Sequence, residues 1–119
     1  MYAPGKEPHS EDDPLDIDAR GTRAITVEGV ATLERLTISS PPIDGIVLRY
    51  GHLYGPGTGT NSADAPALHV DAAAWAAVLA IEKAHRGIYN IAEPSGYLTT
   101  EKARRELGFD ANIRLNAAA

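Results

Sequence analysis

The stretch Gly45-Ile-Val-Leu-Arg-Tyr-Gly-His-Leu-Tyr-Gly-Pro-Gly-Thr-Gly-Thr60 decides how the rest of the chain is read. Ile46-Val47-Leu48 is an unbroken apolar run entered from a Pro-Pro-Ile-Asp-Gly turn. A β-branched run between breakers predicts a strand buried on both faces, the kind that parallel sheets use. From Gly51 to Gly59 the composition changes to glycine, proline, aromatic and polar residues. That mixture neither continues a strand nor starts a helix, so a loop is expected. Open α/β sheets place ligands outside the carboxyl ends of their strands, which makes residues 49–60 the first place to look for a site.

Working outward, residues 1–20 hold six acids (Glu7, Glu11, Asp12, Asp13, Asp16 and Asp18) against Lys6 and Arg20, with three prolines. The segment reads as an acidic exposed loop or linker. Asp16-x-Asp18 offers closely spaced oxygens for calcium, but the sixth-position glycine and closing glutamate of a calcium loop are not in register. From Thr22 to about Ser39 the spacing predicts a helix in which Val27, Val30, Ala31 and Leu33 share an apolar face. Glu28, Glu34 and Arg35 fall outside that face. Pro41-Pro42 ends it. Ala72 to Arg86 predicts a second helix, alanine-rich around Trp75, Val78, Leu79 and Ile81, with Lys83, His85 and Arg86 complementing its carboxyl end. Ile88 to Ala92 reads as a buried strand, Pro94-Ser95-Gly96 as a turn, and Thr99 or Thr100 as the cap of a short helix through Leu107. Residues 112–119 read as a frayed strand or a disordered tail.

Composition narrows the function classes. With 119 residues and 44% hydrophobic content the chain is of globular type and long enough to bury roughly two thirds of its unfolded surface. Cysteine is absent, which removes disulfide, thiolate-metal and thiol redox chemistry. No apolar run reaches the roughly 18 residues of a membrane span, and the amino terminus is not a signal peptide, so a cytoplasmic protein without a membrane partner is expected. The net charge of −5 and the lack of a basic stripe argue against nucleic acid.

Four blocks carry a resemblance. Leu48-Arg49-Tyr50-Gly51-His52-Leu53-Tyr54-Gly55-Pro56-Gly57 is similar to the LRYxNVYGPG signature of extended short-chain dehydrogenase/reductases, the NAD-dependent epimerase/dehydratase family. His69-Val70-Asp71-Ala72-Ala73-Ala74 resembles its HVDDVA block, Gly87-Ile88-Tyr89-Asn90-Ile91 its GxYNI strand, and Glu106-Leu107-Gly108-Phe109 its ELGW helix end. The resemblance implies an α/β fold: the carboxy-terminal portion of an incomplete, Rossmann-like, doubly wound parallel sheet with small substrate-domain elements. It divides the chain into an acidic loop (1–20), the carboxy-terminal half of an α/β domain (21–110) and a tail (111–119). It also implies NAD or NADP as the family's cofactor and a small molecule as its substrate. Tyr50 matches an aromatic beside the nicotinamide, and His52 matches a substrate-binding asparagine. Histidine there can still donate or accept a hydrogen bond, or transfer a proton, and a loop histidine without a role is the alternative.

The departures matter as much. In the resembled family the helix that matches Thr22 to Ser39 carries Tyr-x-x-x-Lys, whose i, i+4 spacing lets the lysine charge lower the tyrosine pKa on one helix face. Aligning Glu34 with the family's K-x-x-x-E puts Thr26 at the tyrosine and Val30 at the lysine, and neither can do that chemistry. No Gly-x-x-Gly-x-x-Gly loop for the pyrophosphate is present, and Gly55-x-Gly57-x-Gly59 lacks the G-K-[ST] ending of a phosphate loop. His52, His69 and Asp71 could ligate zinc in principle, but Asp71 is better explained as a helix cap, so no metal is expected. The segment between the YGPG and HVDD blocks is short, which makes a nucleotide-sugar substrate doubtful. Two readings follow: a truncated or divergent NAD(P)-dependent epimerase/dehydratase-like protein that binds no cofactor alone, or a non-catalytic pseudoenzyme, partner-completing subunit or decayed reading frame. A strand with too few neighbours also predicts a homo-oligomer or a missing amino-terminal half.

Overall fold

A computed structural model describes residues 1–83 and 86–115. The order is α1 (Thr22–Ile38), β1 (Ile46–Tyr50), β2 (His52–Tyr54), β3 (Ala67–His69), α2 (Val70–Lys83), β4 (Gly87–Ile91) and α3 (Glu101–Leu107). The chain is α/β, as expected. β1 pairs in parallel with β4, from Ile46 opposite Gly87 to Tyr50 opposite Ile91, and β2 pairs in parallel with β3. α1 and α2 both contact β1, and α3 packs on α2 and β4.

The core lies where β4 meets α2 and α3. Leu68, Ala72, Ala76, Tyr89, Ile91, Ala103 and Leu107 are fully buried there. α2 turns Ala72, Ala73, Ala76 and Ala80 inward together with Leu79, so backbones approach closely along the alanines, while Ile81 faces solvent. The helix starts two residues before the sequence suggests. The expected capping charge at His85 lies outside the described residues. α3 is entered through Thr99, whose Oγ1 accepts the Glu101 N–H at 3.2 Å, and it stops at Gly108, which takes a left-handed φ of 70°.

Three expectations need correction. β1 is a strand, but none of its residues is buried, because β4 is its sole strand neighbour among the described residues. The segment after Gly51 does not simply loop out. Gly51 N–H still bonds Ile91 O on β4 (2.9 Å), whereas the next amide, His52 N–H, bonds Pro66 O (2.8 Å), so the chain changes sheets and forms β2. In α1, Val27 is buried as expected, but Leu33 is 66% exposed and Glu34 takes an inward place. Periodicity alone assigns a carboxylate to solvent; here a cation on β1 draws it in.

Residues 1–20 contain only isolated bridges, Tyr2 to Leu15 and His9 to Leu98. Half of the segment is exposed, but Tyr2 and His9 are buried, stacked at 5.0 Å and capped by the edge of Tyr97. No helix among the described residues is long and apolar enough to cross a membrane.

Candidate functional site

α1 is fastened to β1 by a charged fork. Gly45, just ahead of β1, lies so near the carboxyl end of α1 that a Cβ would fall 1.8 Å from the Thr37 carbonyl oxygen, so only glycine fits there. Four residues on, Arg49 donates from Nε to Glu34 Oε2 (2.8 Å) and from Nη2 to Glu34 Oε1 (2.6 Å). The side chains are 13% and 9% exposed. Nη1 donates to the Tyr2 hydroxyl at 3.0 Å, and the guanidinium carbon sits 5.3 Å from that ring's centre. The Tyr2 hydroxyl in turn donates to Asn90 Oδ1, and Asn90 Nδ2 donates to Thr99 O. Burial works against the Arg49 charge, but the bonds to Glu34 and Tyr2 outweigh it and hold its pKa above the ordinary guanidinium value. Burial pushes the Tyr2 phenol up. Arg49 therefore braces the strand end, with every guanidinium nitrogen engaged.

Beside this fork opens a cavity of about 730 Å³. Its floor is the whole of β1 with Gly51 and His52; α1 forms one wall through Val30, Leu33, Glu34 and Thr37. Met1, Tyr2, Tyr97 and Leu98 form the other, and Ala65 and Pro66 close the carboxyl end. Tyr50 and His52, the two sequence-based site residues, thus meet at one end of the cavity. Tyr50 donates its hydroxyl to Ala73 O at 2.8 Å, and burial raises that phenol's pKa. His52 is exposed, and its Nδ1 lies 2.8 Å from Asp64 O. A carbonyl only accepts, so Nδ1 carries hydrogen and a neutral imidazole presents Nε2 as an acceptor. The residues at the Tyr-x-x-x-Lys positions do not converge. Val30 lines the cavity, but Thr26 turns its hydroxyl to Thr22 O on its own helix.

A second cluster forms around Tyr54. Its hydroxyl donates to Glu93 Oε2, which raises its pKa, and Arg114 reaches the same hydroxyl at 3.3 Å. The ring meets His69 edge-on at 5.1 Å. His69 precedes α2 and accepts the Asp71 N–H on Nδ1 at 3.0 Å, so histidine supplies the capping bond expected of Asp71. Asp71 instead accepts the Leu115 N–H at 3.0 Å. Gly55 (φ 111°) passes so close that a Cβ would lie 2.7 Å from His69 Nε2. The glycine loop closes on itself through Gly55 N–H to Thr60 O and Thr58 N–H to Gly55 O. Among the described residues no three His, Cys, Asp or Glu converge as a metal site would require.

Residue-type reasoning missed Tyr2 and Asn90 at this site and misplaced Glu34. One signal pointed to Glu34: it anchors the K-x-x-x-E alignment, a position whose value lies in pairing and not in periodicity.

No family model and no solved structure matches the chain. Among curated proteins it is similar to a Streptomyces sp. protein named "3-diazoavenalumate denitrifying reductase", 40% identical over 104 residues that cover 70% of this chain. The chain spans 34% of that relative's length.

Proposed function

We propose that this chain is the substrate-side part of a reductase-type, NAD(P)-dependent, epimerase/dehydratase-like oxidoreductase and that it performs no redox chemistry alone. The 40% identity to a protein named as a reductase, over 70% of this chain, carries this reading. Tyr50 and His52 would face a small carbonyl or hydroxyl substrate at the carboxyl end of β1, where parallel sheets present their ligands. His52, held by the Asp64 carbonyl, would accept a hydrogen bond through Nε2. The dinucleotide and the principal proton donor would come from residues this chain does not contain. Thr26 and Val30 supply neither a titratable hydroxyl nor a charge.

Calorimetric titration with NADH and NADPH tests the proposal. No submillimolar binding to the chain alone is expected, and tight binding would overturn it. His52→Ala should lose substrate affinity in the complete assembly while leaving cofactor affinity unchanged. The specific observation favouring the second reading, a non-catalytic partner, is the absence of a proton-transfer pair on α1; turnover by a reconstituted assembly decides against it.

A further inference from the structure

A second cavity, of about 430 Å³, opens where the chain leaves the carboxyl end of β4 and enters α3. Its polar lining includes Thr100, Arg104 and Asp110, and none of the three has the side-chain partner its burial or charge calls for. Thr100 is only 8% exposed, yet its hydroxyl makes no capping bond to α3 and none to any other described residue. A hydroxyl withdrawn from bulk water is costly to leave unbonded, so whatever occupies the cavity supplies its partner. Four residues on, the Arg104 N–H bonds Thr100 O at 3.0 Å, which brings the guanidinium to the same cavity. That guanidinium pairs with no described residue, whereas its neighbour Arg105 reaches both Glu101 and Glu106. Asp110 Oδ1 accepts the Asn112 N–H at 2.8 Å, which fixes the carboxylate, and no cation among the described residues pairs with it. Arg104 and Asp110 thus line one cavity without forming an ion pair.

An unpaired guanidinium offers a planar fork of donors that matches the two oxygens of a carboxylate. The Thr100 hydroxyl can donate to the same group. Pro8, Pro94 and Phe109 add apolar wall. We propose that this cavity binds a small monocarboxylic acid, its carboxylate held by Arg104 and Thr100 and its apolar body against the two prolines and the phenylalanine. Asp110 sets the charge limit, because a second negative charge on the ligand meets its carboxylate. The site is distinct from the cavity at Tyr50 and His52, with Leu98 lining both. It needs neither a nicotinamide nor turnover, so it stands or falls apart from the proposed function.

The test titrates the full chain with sodium benzoate, and in parallel with inorganic phosphate and sodium chloride at matched ionic strength, following backbone amide shifts by NMR. A slightly alkaline pH keeps phosphate a dianion. Benzoate should give saturable shifts at Thr100, Arg104 and Asn112, and phosphate and chloride should give none. Arg104→Gln, at an exposed position, and Thr100→Val, which keeps the side-chain shape, should each weaken benzoate binding about tenfold or more. Asp110→Asn retains an acceptor for the Asn112 N–H and should let phosphate produce the same shifts. Benzoate shifts that match those of chloride, or that survive both Arg104→Gln and Thr100→Val, overturn the proposal. So does phosphate binding to the unaltered chain as tightly as benzoate, which would make this a general anion site.

Discussion

The outer edge of β4 and the outer edge of β1 belong to one two-stranded sheet and consist of strands of equal length, five residues each. β4 is buried over its last three residues and carries Glu11 and Lys102 on its outward backbone groups. β1 is half-buried, and its outward groups face a cavity. Charged side chains on a strand edge are a common guard against pairing with another chain. Finding them on one edge and an apolar groove on the other teaches that, among the described residues, the β4 edge is guarded and the β1 edge is open.

The largest expected effect concerns the fork that holds α1 beside the open β1 edge. Arg49→Ala leaves the Glu34 carboxylate buried without a partner and should destabilise the fold by roughly 3–5 kcal/mol, read from urea unfolding. A loss below about 1 kcal/mol would show that the groove wall stands without the ion pair. Next comes a direct contrast between the two sides. Ile91→Ala, at a fully buried β4 position, should cost about 2–5 kcal/mol. Leu33→Ala, on the groove wall, should stay within about 0.5 kcal/mol in the isolated chain. Equal costs would break the comparison, because they would mean the groove is already filled.

Glu11→Ala should cost roughly 1–3 kcal/mol by stranding the Asn90 N–H, and it should also raise concentration-dependent light scattering by unsealing the β4 edge. A stability loss with unchanged scattering would mean that Lys102 alone guards that edge.

The smallest effect is a pH dependence. Burial raises the Tyr2 pKa, so the group's contribution is fully present below the unfolded phenol value of about 10 and is lost as pH rises through the higher folded value. Urea midpoints should therefore fall on going above pH ~10, and Tyr2→Phe should flatten that fall. The phenol also touches Arg49 and Asn90, which makes this a probe of the groove's second wall.

What could be read from the residues in advance was whatever depends on neighbours in sequence. The β-branched run at Ile46, the alanine-rich face of α2 and the strand at Ile88 each declare themselves within a few positions. What could not be read depends on partners far along the chain. Glu34 looks solvent-facing until Arg49 is brought beside it, and Leu33 looks like core until its helix has nothing to cover it. β2 is a strand because Ala67–His69 lies alongside it, and no property of His52-Leu53-Tyr54 alone requires that. Glu11 reads as one acid among six, although its oxygen finishes a strand 79 positions away. Of the residues lining the cavity, Tyr50 and His52 were singled out by a motif, whereas Tyr2 and Asn90 came into view only with the fold.

One sealed rim and one bare rim give the sheet a valence of one. A particle with two bare rims can add copies without limit and grow into a fibre. A particle with a single bare rim stops growing through that sheet once the rim is occupied. The Glu11 and Lys102 contacts therefore leave at most one edge of this sheet open to pairing, which rules out growth by endless strand addition through it.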